Sequence, residues 1–382
     1  MLAAQAQSPR IRERLTRYAR DLRDSGAIRT DLVQAAFEGI PRHLFLPSFF
    51  YGPTLYEQVG NQPPSDEVLD LVYANNALVT RFATDDEPVS SSSGPSIMAK
   101  MLEALELQPG MRVLEIGAGT GYNAALIAAV TGGPVHTVEA GQSAATDARG
   151  ALAALGLDGQ VTVLHSDGYY GDAQSSPWDR IIVTCGIAGL SPHWLDQLAP
   201  GGLVLAPIAL AGGHPITKLE RTGSSVDGHV VSWADFMPAV GPLRPTEYFR
   251  HDPHHAVSNQ AAQPITTVIG AGLTWTQYCS LTCWLGANDR RTTRAYVEDN
   301  FNPALGMTAL VEGGSAAWIQ MSGQVVTVGP VDLTRTVVRR LTELVQGWLA
   351  AGEPSSKDWR VKMGAHPNLP TALFTPQSWY RL

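Results

Sequence analysis

VLEIGAGTGYNAALIA, residues 113–128, is the stretch on which the fold turns. Val113 to Ile116 has the apolar character of a buried strand. Gly117, Gly119 and Gly121 follow at alternate positions, and an apolar, alanine-rich run starts a helix directly afterwards. Strand, glycine turn and helix in that order point helix N-terminal N–H groups at a ligand, and glycine lets the backbone pass close to it. A glycine-rich turn by itself is a weak signal; its position between a strand and a helix strengthens it.

Working outward, strands are predicted at Arg112–Ile116, Val135–Val138, Val161–His165, Arg180–Thr184 and Gly202–Pro207, with helices at about 122–131, 143–155 and 192–198. Short apolar runs alternating with helices imply a parallel sheet covered on both faces. Lys218–Arg221 and His229–Phe236 form a late antiparallel pair around a turn-rich segment. Upstream, residues 10–24 place Ile11, Leu15, Tyr18 and Leu22 at helical spacing, and a second helix follows Thr30 as its cap until Gly39 and Pro41 stop it. From Pro41 to Pro95 the chain is rich in Pro, Gly, Asn and Ser and is expected to be largely irregular, as long functional loops are. Past Leu243 the alternation ends. A polar stretch from Arg250 (RHDPHHAVSNQAAQ) reads as a linker, followed by further strands and a helix at Leu333–Ala350 capped by Asp332. The expected organisation is residues 1–95 as N-terminal helices and a covering segment, 96–245 as the cofactor domain, and 250–382 as an α+β domain.

Two ligand classes compete for the glycine loop. Dinucleotide enzymes usually show G-x-G-x-x-G, whereas here the third glycine comes one position early. Glu115, just before the loop, is more typical of methyltransferases, where it helps hold the amino-acid end of S-adenosyl-L-methionine. Glu139 ends the second strand, 22 positions after Gly117, where a carboxylate can accept from both ribose hydroxyls. The third strand leads into Ser166-Asp167-Gly168, and Asp167 can accept from an adenine amino group. Taken singly, each has an ordinary structural use: a strand-end ion pair for Glu115, a turn for Asp167 and Gly168. In order, at the tips of successive strands, they favour S-adenosylmethionine over NAD, on an α/β, Rossmann-like class I methyltransferase fold with a mostly parallel, doubly wound sheet.

Composition narrows the function. The 382 residues are 44% hydrophobic and 16% charged, with 27 Lys+Arg against 35 Asp+Glu for a net charge of -8. An acidic chain without a basic run is a poor partner for a phosphate backbone, so nucleic acid is not an expected substrate. The N-terminus turns charged before a secretory leader could form, and no stretch reaches the roughly 18 apolar residues of a membrane span. Three cysteines, Cys185, Cys279 and Cys283, suit a reducing cytoplasm. Cys279 and Cys283 can share a helix face but have no further ligand nearby, and His251, His254 and His255 lie in the polar linker, so no metal is expected. Trp275, Trp284, Trp318, Trp348 and Trp359 are read as core residues before peptide contacts. Oligomeric state is not legible.

Several segments resemble one family. IPRHLFLP (Ile40–Pro47), VSSSSGPSIMAKML (Val89–Leu102), the 113–128 loop, DRIIVTCGI and LAPGGLVLAPI are similar, in family order over roughly residues 30–243, to segments of the protein-L-isoaspartate O-methyltransferases, here of the longer actinobacterial type with a C-terminal extension. The resemblance implies that Ser93 is the active-site serine. It further implies that Ser90, Ser91 and Ser92 line the cofactor and substrate, and that Glu115, Gly117, Gly119, Glu139, Asp167 and Gly168 hold S-adenosyl-L-methionine. Gly94 stands where the family commonly has Gln, which opens the substrate cleft. The implied reaction is carboxyl methylation of an isoaspartyl or aspartyl residue in a peptide or protein, the ester then closing to a succinimide. Longer relatives esterify an Asp of a ribosomally made peptide, so tailoring stands beside repair as a reading of the C-terminal part. An inactive peptide-binding relative is the third, against which the intact cofactor loop speaks.

Overall fold

Amphipathic spacing at the N-terminus produces helices α1 (Pro9–Asp24) and α2 (Asp31–Gly39) in the computed structural model, which describes residues 8–58, 64–84, 87–223, 225–245, 263–294 and 308–382. α1 buries Ile11, Leu15, Tyr18, Ala19 and Leu22, the face read from the sequence. Thr30 caps α2 as expected, its hydroxyl accepting the Val33 N–H at 3.4 Å. A second acceptor serves the same helix end: Glu103 Oε1 accepts the Arg29 and Thr30 N–H groups at 2.7 and 2.8 Å and the Thr30 hydroxyl at 3.1 Å.

The segment from Pro41 to Pro95 is not largely irregular. It forms β1 (Ser48–Tyr51), β2 (Thr54–Glu57), α3 (Asp66–Tyr73), β3 (Leu78–Thr84) and β4 (Glu87–Ser92), the strands making an antiparallel sheet of order β2-β1-β3-β4. The turn-forming residues are joints between short elements: Gly52 takes a φ of +57° between β1 and β2, and the Ser65 hydroxyl caps α3 through the Val68 N–H. One face of the sheet packs Phe49 and Leu78 against Leu46 and Val72. β4 leads through Ser93 and Gly94 into α4 (Pro95–Ala104), the helix that carries Glu103.

The central region folds as its apolar runs predict. β5 (Val113–Ile116), α5 (Tyr122–Thr131), β6 (Val135–Glu139), α6 (Gln142–Ala154), β7 (Val161–His165), β8 (Trp178–Val183), α7 (Pro192–Gln197) and β9 (Leu198–Pro207) follow one another. The strands pair in parallel in the order β9-β8-β5-β6-β7. All four residues of β5 are buried, as a central strand covered on both faces requires. The chain moves from β5 to one side through β6 and β7, then crosses to β8 on the other. In open α/β sheets ligands bind outside the carboxyl ends of the strands at such a reversal. The fold is thus that of a Rossmann-like class I methyltransferase.

Two compact units make up the chain, Met1–Cys185 with Ser191–Ala206, and Gly186–Leu190 with Pro207–Leu382. The second contains β10 (His214–Thr222), β11 (Ser225–Ala234), β12 (Gln263–Thr267), α8 (Trp275–Asn288), β13 (Thr292–Arg294), β14 (Thr308–Glu312), β15 (Ser315–Ile319), β16 (Gln324–Val328), α9 (Val331–Ala350), β17 (Trp359–Ala365) and β18 (Phe374–Arg381). β10 and β11 pair antiparallel with Lys218 opposite His229, and β17 and β18 continue from β11. A separate antiparallel sheet has the order β12-β16-β15-β14-β13. Leu281 and Leu285 of α8 and Val337, Leu341 and Trp348 of α9 share a core with its inner residues. This unit carries the predicted C-terminal α+β part.

Some details of that part differ from expectation. Asp332 does not cap α9: Pro330 occupies the N-cap and Asp332 lies in the first turn, where its charge still favours the helix dipole. Trp318, Trp348 and Trp359 are buried, whereas Trp275 is 54% exposed and stacks on Tyr278. Cys279 and Cys283 do share a buried helix, α8. His251, His254 and His255 lie outside the described residues. Among the described residues, no helix is long and apolar enough to cross a membrane and no group of three or more His, Cys, Asp or Glu could hold a metal.

Glu103→Ala is expected to leave the part-buried Arg29 and Thr30 N–H groups without their acceptor and to lower stability by about 1 kcal/mol, read as a fall in Tm. An unchanged Tm would mean that water replaces the carboxylate at no cost.

Candidate functional site

The turn after β5 is held in a conformation that glycine alone adopts without strain. Gly117, Gly119 and Gly121 have φ of +100°, +53° and +84°. A Cβ at Gly117 would overlap the Thr184 hydroxyl, which donates to the Gly117 carbonyl at 2.6 Å. The Gly117 and Ala118 N–H groups both donate to the Val138 carbonyl, at 2.8 and 3.2 Å, so the loop is tied to the end of β6 as well as to that of β8.

Glu139, at the tip of β6, completes the anchoring. Its Oε2 accepts the Gly119 N–H and its Oε1 the Gly141 N–H, each at 2.9 Å. A carboxylate offers about four lone-pair sites, so two backbone bonds orient it and leave acceptor capacity. The next strand tip brings Asp167, whose Oδ1 accepts the Tyr169 N–H at 2.9 Å. Gly168 beside it packs so closely on β5 that a Cβ would lie 2.6 Å from Ile116 Cγ2. Gly117, Gly119, Glu139, Asp167 and Gly168 therefore gather at the carboxyl ends of β5, β6 and β7.

The serine segment reaches the same place. A Cβ at Gly119 would sit 3.2 Å from the Ser91 carbonyl. Ser90 and Ser92 are buried, Ser90 accepting from the Thr80 hydroxyl at 2.9 Å, while Ser91 and Ser93 are half-buried. Gly94 caps α4, and a Cβ there would make only ordinary contacts, the nearest at 3.6 Å with the Ala77 nitrogen. Packing at the Cβ therefore does not itself demand glycine at the position where the family commonly carries Gln.

Glu115 lies beneath the loop with no exposed surface. Its carboxylate accepts from Thr137 Oγ1 at 2.6 Å and Asn123 Nδ2 at 2.7 Å. Burial raises its pKa to about 7, against the pull of those two bonds and with a further push from Glu139. The roles of Thr184, Thr137 and Asn123 show only through their bonds to Gly117 and Glu115. The three thiols are not activated: burial pushes Cys185 and Cys279 up to about 12 and Cys283 upward as well.

Because the Glu115 carboxyl holds its proton more tightly folded than unfolded, its contribution to stability is complete below about pH 4.5 and is lost as pH rises to about 7. Glu115→Gln, which stays neutral and can bond to both partners, is expected to gain on the parent protein as pH rises from 5 to 8, by on the order of 2–3 kcal/mol. Thermal melts that shift in parallel across that range would contradict the raised pKa.

Residues 14–243 match the family described as Protein-L-isoaspartate(D-aspartate) O-methyltransferase. Among individual relatives, the chain is 32% identical over 248 residues to protein-L-isoaspartate O-methyltransferase of Hyperthermus butylicus, covering 62% of this chain and 93% of that one. It is 38% identical over 218 residues to the Thermotoga maritima protein of the same name, covering 56% and 62%. A solved structure titled protein-L-isoaspartate O-methyltransferase matches with a TM-score of 0.55 and 25% identity, over 96% of this chain and 99% of its own. The C-terminal unit is therefore shared with a protein of that name. With the match spanning most of the chain and the glycine turn, strand-tip carboxylates and serine segment all in place, the chain belongs to the protein-L-isoaspartate(D-aspartate) O-methyltransferase family and is an S-adenosylmethionine-dependent enzyme.

Proposed function

We propose that the chain methylates the free carboxylate of isoaspartyl residues in proteins or peptides, with Ser93 contacting that carboxylate beside a cofactor held by the β5–β7 strand tips. One observation carries the reading: the Ser91 carbonyl and the Glu139 carboxylate both close on Gly119, so the serine segment and the glycine turn border one site.

The residues fit the cofactor. Glycine at 117 and 168 lets the strand tips pack tightly on Thr184 and Ile116, and glycine at 119 lets the turn come close to the Ser91 carbonyl. Glu139, oriented by two N–H groups, keeps acceptor capacity for ribose hydroxyls, and Asp167, at the next strand tip, is our candidate acceptor for the adenine amino group. Glu115 supports the floor of the loop through Asn123 and Thr137. S-adenosylmethionine supplies an electrophilic methyl group there.

The chain's own task is alignment. A carboxylate with a reference pKa of about 4 is ionised at neutral pH and needs no base. Positioning of a reacting pair can lower a barrier by roughly 7–11 kcal/mol. A Ser93 hydroxyl donating one hydrogen bond would hold the carboxylate through one oxygen and leave the other to attack, whereas several cationic donors would stabilise the anion and blunt it. A neutral serine run suits that requirement. The methyl ester is then open to the following backbone nitrogen, which attacks the ester carbonyl, loses its proton and expels methanol, leaving a succinimide. Because the C-terminal unit is also present in a solved protein titled as an isoaspartate methyltransferase, that unit does not by itself favour tailoring of a dedicated peptide.

An isoaspartyl peptide and its Asp twin, each incubated with enzyme and S-adenosylmethionine, should differ: mass spectrometry is expected to find a methyl gain, then loss of methanol, on the isoaspartyl form alone. Methylation of the Asp twin alone would overturn the repair reading. Ser93→Ala should lower turnover about tenfold or more with cofactor affinity nearly unchanged. Glu139→Ala should weaken S-adenosylhomocysteine binding by about 1.5–3 kcal/mol in calorimetry; equal affinity would remove Glu139 from the site.

A further inference from the structure

Arg42 is wholly buried, with 0% of its surface exposed, yet among the described residues no carboxylate pairs with it. Its guanidinium is held instead by oxygen atoms of three chain segments. Nη1 donates to the Val72 carbonyl at 2.6 Å, at the end of α3. Nη2 reaches the Asn76 carbonyl at 3.1 Å, in the link to β3. The rest of its bonds go to the serine segment: Nε to Ser92 Oγ at 3.2 Å, and Nη2 to the Ser92 and Ser93 carbonyls at 3.1 and 3.0 Å.

A buried cation without a counter-ion is costly and is tolerated only where polar groups surround it. Burial accordingly pulls the Arg42 pKa downward, but an arginine in a protein keeps its charge. Neighbouring His43 offers no second charge, because burial lowers its pKa to about 4 and leaves it neutral. The planar fork of Arg42 fixes direction as well as distance, which a lysine ammonium cannot reproduce.

We propose that Arg42 is a positioning residue for the reaction: it sets the backbone at Ser92–Ser93, and through it the direction of the Ser93 hydroxyl. The proposal rests on the reading of Ser93 as the residue that contacts substrate carboxylate. Three features support it. Three of the five bonds end on the two residues nearest that hydroxyl. The Ser92 carbonyl belongs to the same peptide unit as the Ser93 nitrogen, so holding one orients the other. The segment continues directly to Ser91, whose carbonyl borders Gly119, so a shift at Ser92 moves substrate-side groups relative to the cofactor turn.

The test compares Arg42→Lys, Ser92→Ala and Ser93→Ala, each alone and with Arg42→Lys combined with Ser93→Ala, in the full chain. Turnover of an isoaspartyl peptide, its KM, and S-adenosylhomocysteine affinity by calorimetry are read for each. Arg42→Lys is expected to lower kcat tenfold or more while cofactor affinity stays within about twofold, and Ser92→Ala to lower kcat severalfold with the same split. In the Ser93→Ala background, Arg42→Lys should cost less than twofold further, since the group it places is gone. If Arg42→Lys does not fold, Ser92→Ala carries the test, and unchanged turnover in that variant overturns the proposal. Losses that multiply in the double variant, or turnover and cofactor affinity falling together, would mark Arg42 as a general structural anchor and overturn it too. Ser93→Ala with unchanged turnover would instead remove the reading on which the proposal stands.

Discussion

The hydrogen bond from the Gly119 N–H to Glu139 Oε2 joins the two features that make this fold usable. A backbone turn with three left-handed glycines has no side chains to hold its shape, so its rigidity comes from its neighbours. Val138 holds its first two N–H groups, Thr184 its first carbonyl, and Glu139 its middle. Those partners sit on strands on either side of β5, so the loop's geometry depends on the register of the parallel sheet. Sheet order, loop conformation and carboxylate orientation are consequently one constraint, not three.

The central sheet was legible because buried parallel strands leave short apolar runs between helices, and the α5 boundaries followed directly from the glycines before it and Gly132 after it. The β1–β4 sheet was not legible. Its strands are four to seven residues long, one face is polar or partly exposed, and bulges in the β3–β4 pairing break the alternation that would announce them. Helix α8 escaped because its buried residues include Ser280, Thr282 and two cysteines, so no polar stripe contrasts with an apolar one.

Among site residues, the strand-tip carboxylates and the glycines could be found because local order fixes them: each ends a strand or opens a helix. The bonds of Arg42 and Thr184 could not, although both residues lie in segments that resemble the family. Arg42 and the serines it binds are about fifty positions apart, and Thr184 meets Gly117 across 67. Nothing in a single sequence brings such pairs together before the sheet exists. Gly94 illustrates the opposite case, a departure visible in sequence whose meaning needed the structure. A Cβ there would meet only ordinary contacts, so glycine is not enforced by packing at that atom.

The high pKa of Cys185 has a chemical corollary. Ionised thiols are stronger nucleophiles than carboxylates, and sulfonium donors alkylate them. Cys185 feels the Glu139 charge on top of its burial, and both keep it in the thiol form at about 12. Burial does most of this, and the carboxylate that orients the glycine turn adds to it, so the same charge that shapes the loop also disfavours ionisation of the thiol that follows β8.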